Sequence, residues 1–203
     1  MKLYISSGSP FARKVRVMLI EKNVPFDLEV VDLWAPSDYP RTNPVGKVPA
    51  LRLDDGRVLV NSPLIADYLE SRFPRPSLMP ADPDRRLEAR RWEALADATM
   101  DAAVASLYEA RFHDEAQRSG AFLERQRGKI DRGFAELERM LGSRQWCVGD
   151  AMSLADIAVA CHVGFIAVRR PEFFPPERYP GLARLAREVG ERDSMKQTVP
   201  PPA

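Results

Sequence analysis

NPVGKVPAL at residues 43–51, followed by NSPLIADYL at residues 61–69, decides how this chain folds. The first stretch enters a strand through Val48-Pro49. The second opens a helix, with Ser62 read as its N-cap and Pro63 at the first helical position. Between them Asp55-Gly56 marks a hairpin turn, with strands predicted over 48–53 and 58–60. A strand entrance beside a helix N-terminus makes a pocket of backbone groups, which suits a small anionic peptide.

Upstream, Leu3-Tyr4-Ile5 reads as a short strand and Pro10 as the start of a helix. Val15, Met18 and Leu19 follow at helical spacing, with Arg13, Lys14 and Arg16 elsewhere around the wheel. Asn23-Val24-Pro25 stops that helix. Residues 26–31 alternate apolar and acidic residues, as a half-buried strand does, and 34–42 read as irregular. The order is β-α-β, then β-β-α, so a parallel pair is extended by an antiparallel hairpin.

A proline-rich stretch, residues 74–83, separates this half from an all-helical remainder. We place an N-terminal domain at 1–76, a linker at 77–83 and a helical domain at 84–203. Trp92, Leu95, Thr99, Ala103 and Leu107 mark one helix; Ile130, Phe134, Leu137 and Leu141 mark a second. A third, around Ile157–Val168, is apolar nearly all round and is predicted to be buried and central. Ser153 and Asp156 form its capping box. Leu182, Leu185 and Val189 mark a fourth helix. Arg85, Arg86, Arg90 and Arg91 read as a solvated face, and residues 198–203 as a disordered tail.

Composition narrows the function classes. The chain has 203 residues, 29% of them charged, yet a net charge of only +1, which gives no reason to expect a nucleic-acid partner. No apolar run is long enough for a membrane span or a signal peptide, so a cytoplasmic protein is expected. Two cysteines and two histidines show no metal-binding spacing, and no metal is expected. Cys161-His162 are sequence neighbours on a helix and point apart, which makes a poor catalytic dyad.

Over essentially its whole length the chain resembles the glutathione S-transferase family, in particular its bacterial YibF-like subgroup. The features carrying the resemblance are Val48-Pro49 with Asn61-Ser62, the stretch SPFARKVR at 9–16, and VGDAMSLAD at 148–156. It implies an α/β thioredoxin-like domain followed by an all-α domain. It also implies a homodimer using glutathione as cosubstrate, with no other cofactor, and a hydrophobic electrophile as second substrate in detoxification. A free thiol has a pKa of about 8.5, so the chemistry needs a group that favours the thiolate. Ser9 is the candidate catalytic donor, with Ser6 and Ser7 as rivals; capping the helix is its alternative role. No cysteine lies at 6–10, which disfavours thiol–disulfide exchange, and Cys147 and Cys161 read as buried packing.

The same resemblance implies a cis Val48-Pro49 bond, with Val48 presenting its backbone to glutathione and Lys47 reaching the glycyl carboxylate. Ser62 would hold the γ-glutamyl carboxylate. Asn61 departs from the acidic residue usual there, so either binding is weaker or Asp97 or Asp101 compensates across a dimer. Phe11, Trp34, Tyr108, Arg111 and Phe112 are the candidate electrophile pocket, and the loop at Phe173–Pro176 either closes over the site or packs on it. The alternative function is a non-catalytic glutathione-binding or regulatory protein on the same fold, like the stringent starvation proteins.

Overall fold

Strand β1 (Lys2–Ile5) pairs parallel with β2 (Asp27–Val30) and antiparallel with β3 (Ala50–Arg52); β3 pairs antiparallel with β4 (Val58–Val60). The sheet order is β2-β1-β3-β4. These coordinates are a computed structural model and describe residues 1–201.

The period of two along a strand sorts side chains onto two faces. Leu3, Ile5, Leu51 and Leu53 join one core with α1 (Pro10–Glu21) and α3 (Ser62–Arg72). Tyr4 and Ala50 face the other way and pack with Tyr39 of α2 (Tyr39–Thr42). That short helix stands where irregular chain was expected, and its one buried residue, Tyr39, covers the second face. Strand β2 also differs from expectation. It lies at the sheet edge, and its apolar Leu28 and Val30 are exposed rather than half-buried.

The helical domain comprises α4 (Pro83–Phe112), α5 (Gly120–Leu141), α6 (Leu154–Arg169), α7 (Pro180–Gly190) and α8 (Asp193–Lys196). Nearly every residue of α6 from Leu154 to Ile166 is buried, as predicted for the central helix. Its start is saturated with hydrogen bonds. Asp156 accepts from the Ser153 N–H at 2.7 Å, the Ser153 hydroxyl at 2.8 Å and the Cys147 N–H at 2.7 Å. Phe173 and Phe174 are buried, and Phe174 packs against Phe134 and Tyr179 in the helical core. The 173–176 loop therefore packs within the helical domain.

Ion pairs bind α1 and α3 to α4. Lys14, which lies off the predicted apolar stripe of its helix, is fully buried, with its ammonium 2.7 Å from both Glu93 Oε1 and Asp97 Oδ2. Arg90 joins Glu93 to Asp67 of α3, so it belongs to this seam rather than to a solvated face. Lys22 holds the exit from α3, meeting Glu70 and the carbonyls of Phe73 and Pro76, each at 2.8 Å.

The end of the chain is better anchored than its composition suggested. Thr198 is buried and accepts from Arg13 Nε at 3.3 Å, while Arg192 pairs with Glu21 at 2.6 Å. Only residues 202–203 of the predicted disordered tail lie outside the described residues.

Candidate functional site

Strand register gathers the candidate polar residues at one end of the sheet. Tyr4 is opposite Ala50, and Ala50 is opposite Val60. The exit of β1 toward Ser9, the entrance of β3 after Val48-Pro49 and the exit of β4 into Asn61-Ser62 therefore share one edge.

Ser9 caps α1. Its Oγ accepts from the Ala12 N–H at 3.2 Å, and its own N–H donates to the Ser6 carbonyl at 2.9 Å. The hydroxyl proton donates to nothing among the described residues, so the capping role leaves a donor free at a helix start. Ser7 is exposed on the preceding turn.

The next loop is braced from behind. Both Tyr39 Oη, at 2.7 Å, and Asn43 Nδ2, at 2.6 Å, donate to the Lys47 carbonyl. Sequence reasoning missed both braces. Asn43 stood inside the deciding motif, and the Asn-Pro pair was the available signal; its Oδ1 accepts from the Val45 N–H at 3.2 Å. The Val48-Pro49 bond is cis. Val48 is half-buried, and neither its N–H nor its carbonyl has a partner among the described residues. Buried or half-buried backbone groups are rarely left so, unless water or a ligand completes them. The Lys47 side chain is exposed.

Asn61, rather than Ser62, is the N-cap of α3. It takes φ +75° and makes no side-chain capping bond, which places Ser62 at the first helical position. Ser62 is 2% exposed, yet its hydroxyl has no partner among the described residues. The first amides of α3 and this hydroxyl are donors at a helix N-terminus, a setting that favours an anion.

Four of the five predicted pocket residues meet. Trp34 lies 5.2 Å from Tyr108 and 5.3 Å from Phe112, centroid to centroid, and the Arg111 guanidinium lies 4.4 Å over the Trp34 ring. Phe11 does not join them. It stands edge-on to buried His162 at 5.6 Å, because its position on α1 turns it into the seam between domains. Asp97 is engaged within its own chain by Lys14, through Oδ2 at 2.7 Å. Burial lifts Asp97 to about 6 against the pull of Lys14, and burial with Lys14 pushes His162 well below the ordinary imidazole range. The ring is buried, with Nε2 3.3 Å from Asp97 Oδ1.

The two cysteines offer no thiolate. Both are buried, and desolvation raises Cys161 to about 11 and Cys147 well above its ordinary value. Among the described residues no group of three or more His, Cys, Asp or Glu is placed to hold a metal ion, and no helix is long and apolar enough to cross a membrane. A separate hollow of about 360 Å³, lined by residues 77–82, Arg85 and residues 148–153, contains none of the candidate residues.

Comparison with known proteins points to one family. The family model for the glutathione S-transferase N-terminal domain matches residues 8–72, and that for the C-terminal domain matches residues 120–188. The sequence is 38% identical over 204 residues, covering 100% of both chains, to the uncharacterized GST-like protein YibF of Escherichia coli (strain K12). It is 30% identical over 218 residues to the maleylacetoacetate isomerase of Pseudomonas aeruginosa, covering 98% of this chain and 96% of the relative. Among solved structures, a glutathione S-transferase from Methylobacterium radiotolerans in complex with glutathione sulfonate superposes with a TM-score of 0.93. The two are 44% identical, with 98% of this chain and 94% of that chain covered.

Proposed function

This chain belongs to the glutathione S-transferase family, and from that premise we propose that it transfers the glutathione thiolate to a hydrophobic electrophile. The observation that carries this reading is the set of groups left open at one sheet edge. These are the Val48 N–H and carbonyl, the Ser62 hydroxyl and the free proton of the Ser9 hydroxyl. The cysteinyl part of glutathione pairs with Val48 as a neighbouring strand would. Its γ-glutamyl carboxylate takes the Ser62 hydroxyl and the first amides of α3, and Lys47 reaches the glycyl carboxylate.

Ser9 then donates to the thiol sulfur, and the N-terminus of α1 adds its partial positive charge. Both favour the thiolate over the thiol. The thiolate attacks an electrophilic carbon at the Trp34–Tyr108–Phe112 cluster. A carbon–sulfur bond forms, and either a leaving group departs with the displaced electron pair or an activated double bond takes up a proton. Asn61 supplies a neutral acceptor where a carboxylate would pair with the glutamyl ammonium, so glutathione is held less tightly than by a charge-assisted bond.

In this reading the peptide site belongs to residues 1–76 and the helices of 84–203 meet the acceptor, with 77–83 as linker. A cytoplasmic homodimer is the proposed working form; Leu64 and Leu87 are exposed apolar residues on α3 and α4 that a second copy can cover. The isomerase relative supports a second reading, in which the same thiolate adds to a conjugated double bond and is expelled after rotation.

The test is a calorimetric titration with reduced glutathione. Saturable binding is expected, and its absence would move the chain to the non-catalytic, regulatory reading. If it binds, thiolate absorbance against pH should show the bound thiol well below about 8.5. Ser9→Ala should return it toward that value while the peptide still binds.

A further inference from the structure

The aromatic cluster on α4 and the β2–α2 connection is built for more than apolar contact. Trp34, Tyr108 and Phe112 remain 44%, 42% and 61% exposed. Isolated exposed aromatics are unremarkable, but three in mutual contact form an apolar patch that a binding event can cover. Their rings meet edge to face, at 5.2, 5.3 and 6.2 Å.

Three side-chain donors at the cluster are left without partners among the described residues. The Arg111 guanidinium lies over the Trp34 ring and makes no ion pair or hydrogen bond among the described residues. The Tyr108 hydroxyl and the Trp34 indole N–H also lack partners there. Glu109, the adjacent acid, is turned away: it accepts from the Ser119 N–H at 2.8 Å and meets His113 at 3.3 Å. Asp32 is engaged by the Trp34 backbone N–H, which donates to its Oδ1 at 2.9 Å. A positive charge is thus fixed beside flat apolar surface without an ion-paired carboxylate. Guanidinium on an aromatic face is preorganised for a planar oxyanion, which it can meet with two parallel N–H groups.

We propose that this cluster selects a planar, conjugated acceptor bearing a carboxylate, with Arg111 as the specificity-determining residue. The inference rests on the reading that the neighbouring sheet edge holds glutathione, and it names the acceptor class for that site. The ring stacks against the aromatic side chains, and the carboxylate takes Arg111 with help from the Tyr108 hydroxyl.

The test needs no turnover. Trp92 is fully buried and Trp146 half-buried, so Trp34 is the exposed indole and reports the cluster by fluorescence. Quenching by 3-nitrobenzoate is compared with quenching by its methyl ester, in the presence of glutathione and in its absence. The acid is expected to bind about five- to tenfold more tightly than the ester. Arg111→Gln should bring the two within about twofold of each other, Arg111→Lys should keep part of the preference, and Trp34→Leu should abolish the signal. Equal binding of acid and ester by the wild type, a preference that survives in Arg111→Gln, or no quenching by either arene overturns the proposal. So does concentration-dependent burial of Trp34 without any arene, which would give the cluster to a second copy. Failure of glutathione to bind in the calorimetric titration is a separate result. It ends the transferase reading and leaves the arene comparison standing on its own.

Discussion

Two helices of this chain treat the unpaired amides of their first turn in opposite ways. The start of α6 is closed: Asp156 takes three donors from its own chain, and the Leu154 N–H donates to the Leu78 carbonyl at 2.7 Å. The start of α3 is open: Asn61 makes no capping bond, and the Ser62 hydroxyl has no partner among the described residues. A helix start that lacks internal partners keeps its donors available to an external one. The closed start is completed within the chain, and the open start is the one that the proposed function gives to glutathione.

Substitutions can break this contrast. The largest effect should come from the seam, where satisfaction is ionic. Lys14→Met leaves Glu93 and Asp97 buried without their shared cation and should cost about 3–5 kcal/mol in chemical denaturation. A loss below about 1 kcal/mol would mean that the seam relaxes around the missing charge. Next comes the closed start. Asp156→Ala strands three donors and should cost about 3 kcal/mol, while protein that remains folded keeps its glutathione affinity. At the open start the pattern should invert: Ser62→Ala should weaken glutathione binding about tenfold in calorimetry and leave the melting temperature nearly unchanged. If it lowered stability as Asp156→Ala does, the two starts would not differ in kind. The smallest effect is a gain. Asn61→Asp restores a charge for the glutamyl ammonium and should tighten binding a few-fold at low salt.

The closed start was legible because its signal is local: Ser153 and Asp156 are three residues apart, in front of an apolar run. The open start was misjudged by one residue. A serine before proline reads as a cap, but Asn61 adopts φ +75° and takes that position, a choice that depends on how β4 delivers the chain. Tyr108 and Phe112 could be paired from helical spacing, whereas Trp34 reaches them only through the tertiary fold. Lys14 shows the limit most clearly. A lysine on an amphipathic helix reads as solvated, and its partners Glu93 and Asp97 lie on another helix far along the chain. The short helix that buries Tyr39 is too brief to leave a periodic signal.

The contacts of Arg13 with Thr198 and of Arg192 with Glu21 also order events in folding, because they join residues 185 and 171 positions apart. Closing so long a stretch of chain costs entropy that nearer contacts do not, so these pairs form late. One flank of α1 therefore gains its cover only after the helices between have packed.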